Sequence, residues 1–139
     1  MSKHRLVVEE EYEFLSFGLS CHQKDFRIAW FLNQLLRFDF NRTQIEIFDK
    51  NGSSHFYPMF RHHDSQHHLN YLLLNNLSDS IPLIKHYKQF NMFILVEGYI
   101  DLFDEGSFIT KLQQMESIQF LSPIENKPFN KLQFTLFEY

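Results

Sequence analysis

A single cysteine, Cys21, stands in the whole chain, so no internal disulfide can form, and a reducing, cytoplasmic setting is the expectation. Glycine and proline number only 4 each among 139 residues, and no Ser- or Pro-rich stretch reads as a linker, so one domain over residues 1–139 is expected. No apolar run approaches the roughly 20 residues that span a bilayer, and the Met1-Ser2-Lys3-His4-Arg5 start lacks a signal-peptide core. A membrane partner is therefore not expected. The 13 Lys and Arg are scattered in a chain of net charge -4, which argues against a nucleic-acid surface. Also missing are a glycine-rich phosphate loop, a G-x-S-x-G elbow, a C-x-x-C pair and an H-E-x-x-H helix. These absences exclude several familiar enzyme classes and imply no cofactor.

Phenylalanine is present in excess, at 17 residues. Each buried ring stabilises by about 1.5–3 kcal/mol, so the core is expected to be large for the chain length. Residues 5–19 read as strand, and Ser20 with Gln23 three residues on forms a capping-box pattern ahead of a helix from His22 to Arg37. Phe26, Ile28, Ala29, Trp30, Phe31, Leu32, Leu35 and Leu36 wrap most of that helix, leaving a narrow polar strip of Lys24, Arg27 and Gln34. Such a helix is normally covered on both flanks, here by the sheet and by a C-terminal lid or second subunit.

Extended runs at 44–49 and 54–60 flank Asn51-Gly52, the signature of a two-residue type I′ hairpin turn. Strands follow at 69–74, 90–96 (closed by Gly98) and 118–121, with a short helix at 107–116. Residues 78–89 have no clear periodicity. Pro123 and Pro128 frame a loop, and residues 134–139 read as a last extended piece. The order predicts an α+β fold: a mostly antiparallel sheet with two helices packed on one face, ferredoxin-like with extra strands.

Five of the 8 histidines fall between 55 and 68. His62, His63, Asp64, His67 and His68 are the candidate metal ligands, because imidazole and carboxylate donors suit zinc and similar ions. Neighbours such as His62 and His63 point to opposite sides of an extended chain, so a solvated polar loop is the simpler reading. Asn33 falls inside the apolar arc of the helix, where its amide either ties down a neighbouring loop or meets a partner. Trp30 is read as core, with a cofactor platform as the functional option, and its N–H needs a partner. Cys21 beside a helix N-terminus would have a lowered thiol pKa, but no residue orients His22 as its base. Glu9-Glu10-Glu11 reads as a charged strand edge, and Glu97, Asp101, Asp104 and Glu105 as a polar loop that caps the next helix.

The stretch Gly18-Leu19-Ser20-Cys21-His22-Gln23-Lys24-Asp25-Phe26-Arg27-Ile28-Ala29-Trp30-Phe31-Leu32-Asn33 resembles the bacterial IPExxxVDY family, whose members carry a Gly-Ile-Ser segment leading into an aromatic-Arg-Leu-x-Trp-x-Leu-Asn helix. The similarity continues over residues 83–98, where the naming signature falls, although only Ile84 keeps a signature letter. Lys85 and His86 replace Pro and Glu, and Phe90, Asn91 and Met92 replace Val, Asp and Tyr. The resemblance implies a small cytoplasmic protein and supplies no catalytic residues. Together these features predict a non-enzymatic protein-interaction or ligand-binding module, a homodimer joined through Phe26, Trp30 and Asn33. The alternative is a metal-dependent enzyme built on the His62–His68 cluster.

Overall fold

The computed structural model describes residues 13–137. The acidic run at 9–11, the first part of the strand expected at 5–19 and the last two residues lie outside that range. Eight strands and three α-helices follow in order: β1 (Phe14–Cys21), α1 (Asp25–Leu36), β2 (Asn41–Phe48), β3 (Ser54–Asp64), β4 (Leu69–Asn75), β5 (Leu77–Ser78), β6 (Ile81–Pro82), β7 (Met92–Gly98), α2 (Glu105–Leu112), β8 (Ile118–Ile124) and α3 (Gln133–Leu136). Six strands make one sheet in the order β2-β3-β4-β7-β1-β8, and every neighbouring pair is antiparallel. The coarse class is the expected α+β. In a ferredoxin-like sheet one strand separates the pair joined by the first helix; here β7, β4 and β3 all lie between β1 and β2.

Strand alternation splits the apolar residues between two faces. Phe17, Leu19, Tyr71, Leu73, Ile94 and Val96 face α1 and α2, which contribute Ile28, Leu32, Phe108 and Leu112 to one core. Phe14, Leu72, Leu74, Phe93 and Leu95 face the other way, under Ile84, Tyr87, Phe129, Leu136 and Phe137. Both helices therefore share a face, and residues 83–90 with 129–137 form a third layer. The segment expected to cap α1 instead covers the opposite side of the sheet.

Several local expectations are corrected. Sheet pairing extends β1 through Cys21, opposite Ile118, so Ser20 belongs to the strand, where its hydroxyl donates to the Gln89 carbonyl at 3.3 Å. The helix starts at Asp25, and its N-cap is Lys24 without a side-chain bond. The hairpin loop spans five residues, 49–53, rather than two. Of its Asn-Gly pair only Gly52 has positive φ, at 84°, and the Asp49 carboxylate holds the wider loop by accepting the amides of Asn51 and Ser53. Pro123 lies within β8, an edge strand, where a residue without an N–H is tolerated. Residues 133–136 are helical because Gln133, Leu136 and Phe137 are all buried, and that i, i+3, i+4 spacing shares a side only on a helix.

The connection 76–91, which contains the unpatterned residues 78–89, is organised around Asn76, which is fully buried. Its amide donates to the carbonyls of Tyr87 (3.2 Å) and Phe90 (2.9 Å) and accepts the Ile84 N–H at 2.8 Å. Its backbone joins in, since Leu83 N–H donates to the Asn76 carbonyl at 2.7 Å.

Candidate functional site

Two surface features collect residues of functional interest. The first is the outward side of α1. Ile28, Ala29 and Leu32 are the buried residues of the helix, with Phe31, Leu35 and Leu36 partly buried against the same core, while Phe26 and Trp30 stand 56% and 57% exposed, so the helix is covered on one side only. The expectation that Trp30 is core is therefore wrong. Phe26 and Trp30 lie on successive turns, and the Trp30 ring packs edge-on to Phe31 at 5.3 Å. Phe31 in turn lines a groove of about 730 Å³ with Leu35 and Met115, which separates α1 from the end of α2. The Arg27 guanidinium lies 5.5 Å from the Phe31 ring centre. An apolar strip thus runs from Phe26 over the helix into the groove. Asn33 takes no part in it: its side-chain oxygen accepts the Phe40 N–H at 2.8 Å, tying the helix to the chain entering β2.

The second feature is a cleft of about 410 Å³ at the other end of the sheet, bounded by the β3–β4 turn, the segment after β7 and the start of α2. The turn geometry brings Asp64, His67 and His68 to its rim. Asp64 accepts the His67 backbone N–H at 3.1 Å, and its second oxygen lies 2.7 Å from His67 Nδ1. Partial burial pushes the Asp64 carboxyl upward, but the bonds and charge of His67 outweigh it and hold the group below the usual range. His68 adopts φ 56° and stacks near Tyr99 at 5.0 Å. On the far wall the Asp104 side chain caps α2 by accepting the Ser107 N–H at 3.0 Å, as the acidic loop predicts.

The remaining histidines go elsewhere. His62 lies on the helix-side face of β3, stacked on Phe38 at 4.2 Å, with Nδ1 accepting the Asp39 N–H at 3.1 Å. His63 points to the opposite face and bonds Asn70 at 2.6 Å, and Asn70 donates to Glu97 at 2.8 Å. His55 pairs with Asp49 at 3.1 Å in the hairpin loop. The hydrogen bond to His55 holds the Asp49 carboxyl below its ordinary value. Of the five candidate ligands, Asp64, His67 and His68 share one cleft, while His62 and His63, whose rings take different partners, border a separate groove with Asp39 and Asn70. Among the described residues no three His, Cys, Asp or Glu side chains gather closely enough to hold a metal ion.

Cys21 sits at the end of β1, not at a helix N-terminus, and burial pushes its thiol up to about 12. That reverses the direction expected from a helix dipole. Tyr71 is the site residue that sequence reasoning missed. It lies in the apolar run 69–74, where periodicity gives no sign that one ring reaches a cleft.

No protein-family model matches the chain, and no curated protein matches it. Among the described residues no helix is long and apolar enough to cross a membrane.

Proposed function

We propose that this chain is a non-enzymatic interaction module that forms a homodimer through the outward side of α1. The observation that carries this reading is the continuous apolar strip of Phe26, Trp30 and Phe31 running into the Leu35–Met115 groove. Single exposed apolar residues are ordinary, but a contiguous strip with a groove beside it is a binding surface. A two-fold contact places one patch against its own copy, so the patch needs both members of any polar pair. Arg27 on the helix and Glu116 on the opposite rim of the groove supply opposite charges. The resemblance to the IPExxxVDY family is strongest over this same helix and brings no chemistry with it, which favours an interaction role in the cytoplasm.

Trp30 is the single tryptophan, so its fluorescence reports on the proposed contact directly. Sedimentation across the micromolar range should show a concentration-dependent dimer, accompanied by a blue shift of the emission as the indole leaves water. Trp30→Lys should give a folded monomer. A strict monomer at all concentrations, with unchanged red-shifted emission, would remove the proposal.

A further inference from the structure

We propose a second site, independent of self-association: the cleft between the β3–β4 turn and α2 binds a small organic ammonium ion on a flat apolar body, held by the Tyr71 hydroxyl and the Asp64 carboxylate.

Tyr71 lines the cleft while only 5% exposed. Buried hydroxyls normally have partners. Tyr57 donates to the Ile81 carbonyl at 3.3 Å, and Tyr87 donates to the Glu125 carbonyl at 3.1 Å while accepting its N–H at 3.0 Å. The Tyr71 hydroxyl differs from these two: it has no hydrogen-bond partner among the described residues, and it is not sealed in the core but open to the cleft. A ligand entering the cleft supplies what the fold does not.

Charge chooses the class of ligand. The cleft is lined by the carboxylates of Asp64 and Asp104 and the ammonium of Lys111, with the His67 ring already bonded to Asp64 and His68 on the rim. Burial, with the negative charge of Asp64 added, pushes the Tyr71 phenol up to about 12. The cleft lining thus presents a neutral hydroxyl and an ionised carboxylate, two groups that accept N–H bonds from an ammonium. The walls suit the rest of such a molecule. Phe38 lies 4.4 Å from the Tyr71 ring centre, with Phe108 and Phe103 at 6.0 and 6.2 Å. Their faces attract a cation and pack against a flat hydrocarbon. An anion of the same shape would meet both carboxylates, so the site discriminates by repulsion as well as by attraction. The volume of about 410 Å³ falls within the range of small-molecule pockets.

Three probes of one shape test this on the full chain: phenethylamine, phenylacetate and 2-phenylethanol, titrated against 15N-labelled protein. Phenethylamine should shift the amides of His67, His68, Tyr99 and Ser107 in a saturable way, while phenylacetate leaves them in place. Tyr71→Phe keeps the ring and its packing, and should weaken amine binding about tenfold, the loss expected for one hydrogen bond to a charged group. Asp64→Asn should weaken it as well, with a thermal melt to confirm folding; if that variant unfolds, Tyr71→Phe decides alone. Trp30→Lys should leave amine binding unchanged, which separates this site from the association surface. Phenylacetate binding as tightly as the amine, full amine affinity in Tyr71→Phe, or no saturable shift at tens of millimolar would each overturn the proposal.

Discussion

His62 lies flat on Phe38, ring centres 4.2 Å apart and planes 17° from parallel, while its Nδ1 accepts the backbone N–H of Asp39. That bond requires an unprotonated nitrogen. Burial lowers the His62 pKa and the neighbouring His63 adds to the lowering, while the charges of Asp64 and Asp39 pull the other way. The folded state therefore binds the proton less readily than the unfolded chain, whose imidazole titrates near 6.5. Stability from this group is complete above about pH 6.5 and is lost as pH falls through the lower folded value. Denaturant melts should show a decline over that window which His62→Leu flattens, and an NMR titration should place the His62 midpoint below 6.5.

Asn76 holds the third layer. Truncation in Asn76→Ala removes the donor to the Phe90 carbonyl and the acceptor of the Ile84 N–H inside the core, while the Tyr87 carbonyl keeps the Phe90 N–H; each group that water cannot reach costs about 1–3 kcal/mol. We expect a loss of about 3 kcal/mol in urea unfolding. Asn76→Asp should be at least as damaging, because a carboxylate cannot donate to Tyr87 and Phe90. Wild-type stability in either variant would show that residues 83–90 are held by apolar packing alone.

Gly98 ends β7 at φ 118°, and a Cβ built there falls 2.2 Å from the His68 carbonyl oxygen. Gly98→Ala must move backbone at the turn that shapes the cleft, so it should destabilise the protein and shift the His67 and His68 amides. Gly52 is the control: φ is 84° but nothing lies within 4 Å, so Gly52→Ala meets backbone strain only, about 1–2 kcal/mol. Equal losses at the two positions would contradict the clash.

Cys21 should react slowly. With its thiol pushed up to about 12, only about one molecule in ten thousand is thiolate at pH 8. Alkylation by iodoacetamide should run on the order of 10³-fold slower than for an exposed cysteine, and speed up in denaturant. A rate like that of free cysteine would mean that the end of β1 opens readily.

The parts of the fold that repeat were legible in the residues. The apolar runs at 69–74 and 90–96 and the two helices declare themselves by periodicity, and the sheet class follows from their order. What escaped is the layer made of unlike pieces. Ile84, Tyr87 and Phe129 meet the sheet from a single turn each, so no period connects them. Asn76 is one polar letter in a polar stretch, and nothing in its neighbours announces three bonds. The same holds for the cleft. Histidine density drew attention to 62–68, but His62 and His63 take other partners beside a separate groove, and Tyr71 belongs to the site through depth, which a linear pattern does not encode. Trp30 misled because an apolar helix tells how many sides avoid water, not whether its own chain covers them.

The third layer also sets a timetable. Phe129, Leu136 and Phe137 shield Phe14 and Phe93, which belong to strands translated well before them. Until residue 137 leaves the ribosome, a nascent sheet has only residues 83–90 over that side and leaves the rest of it bare, a natural target for chaperones and for proteases that patrol unfinished chains. A stop at residue 128 would leave that vulnerability permanent.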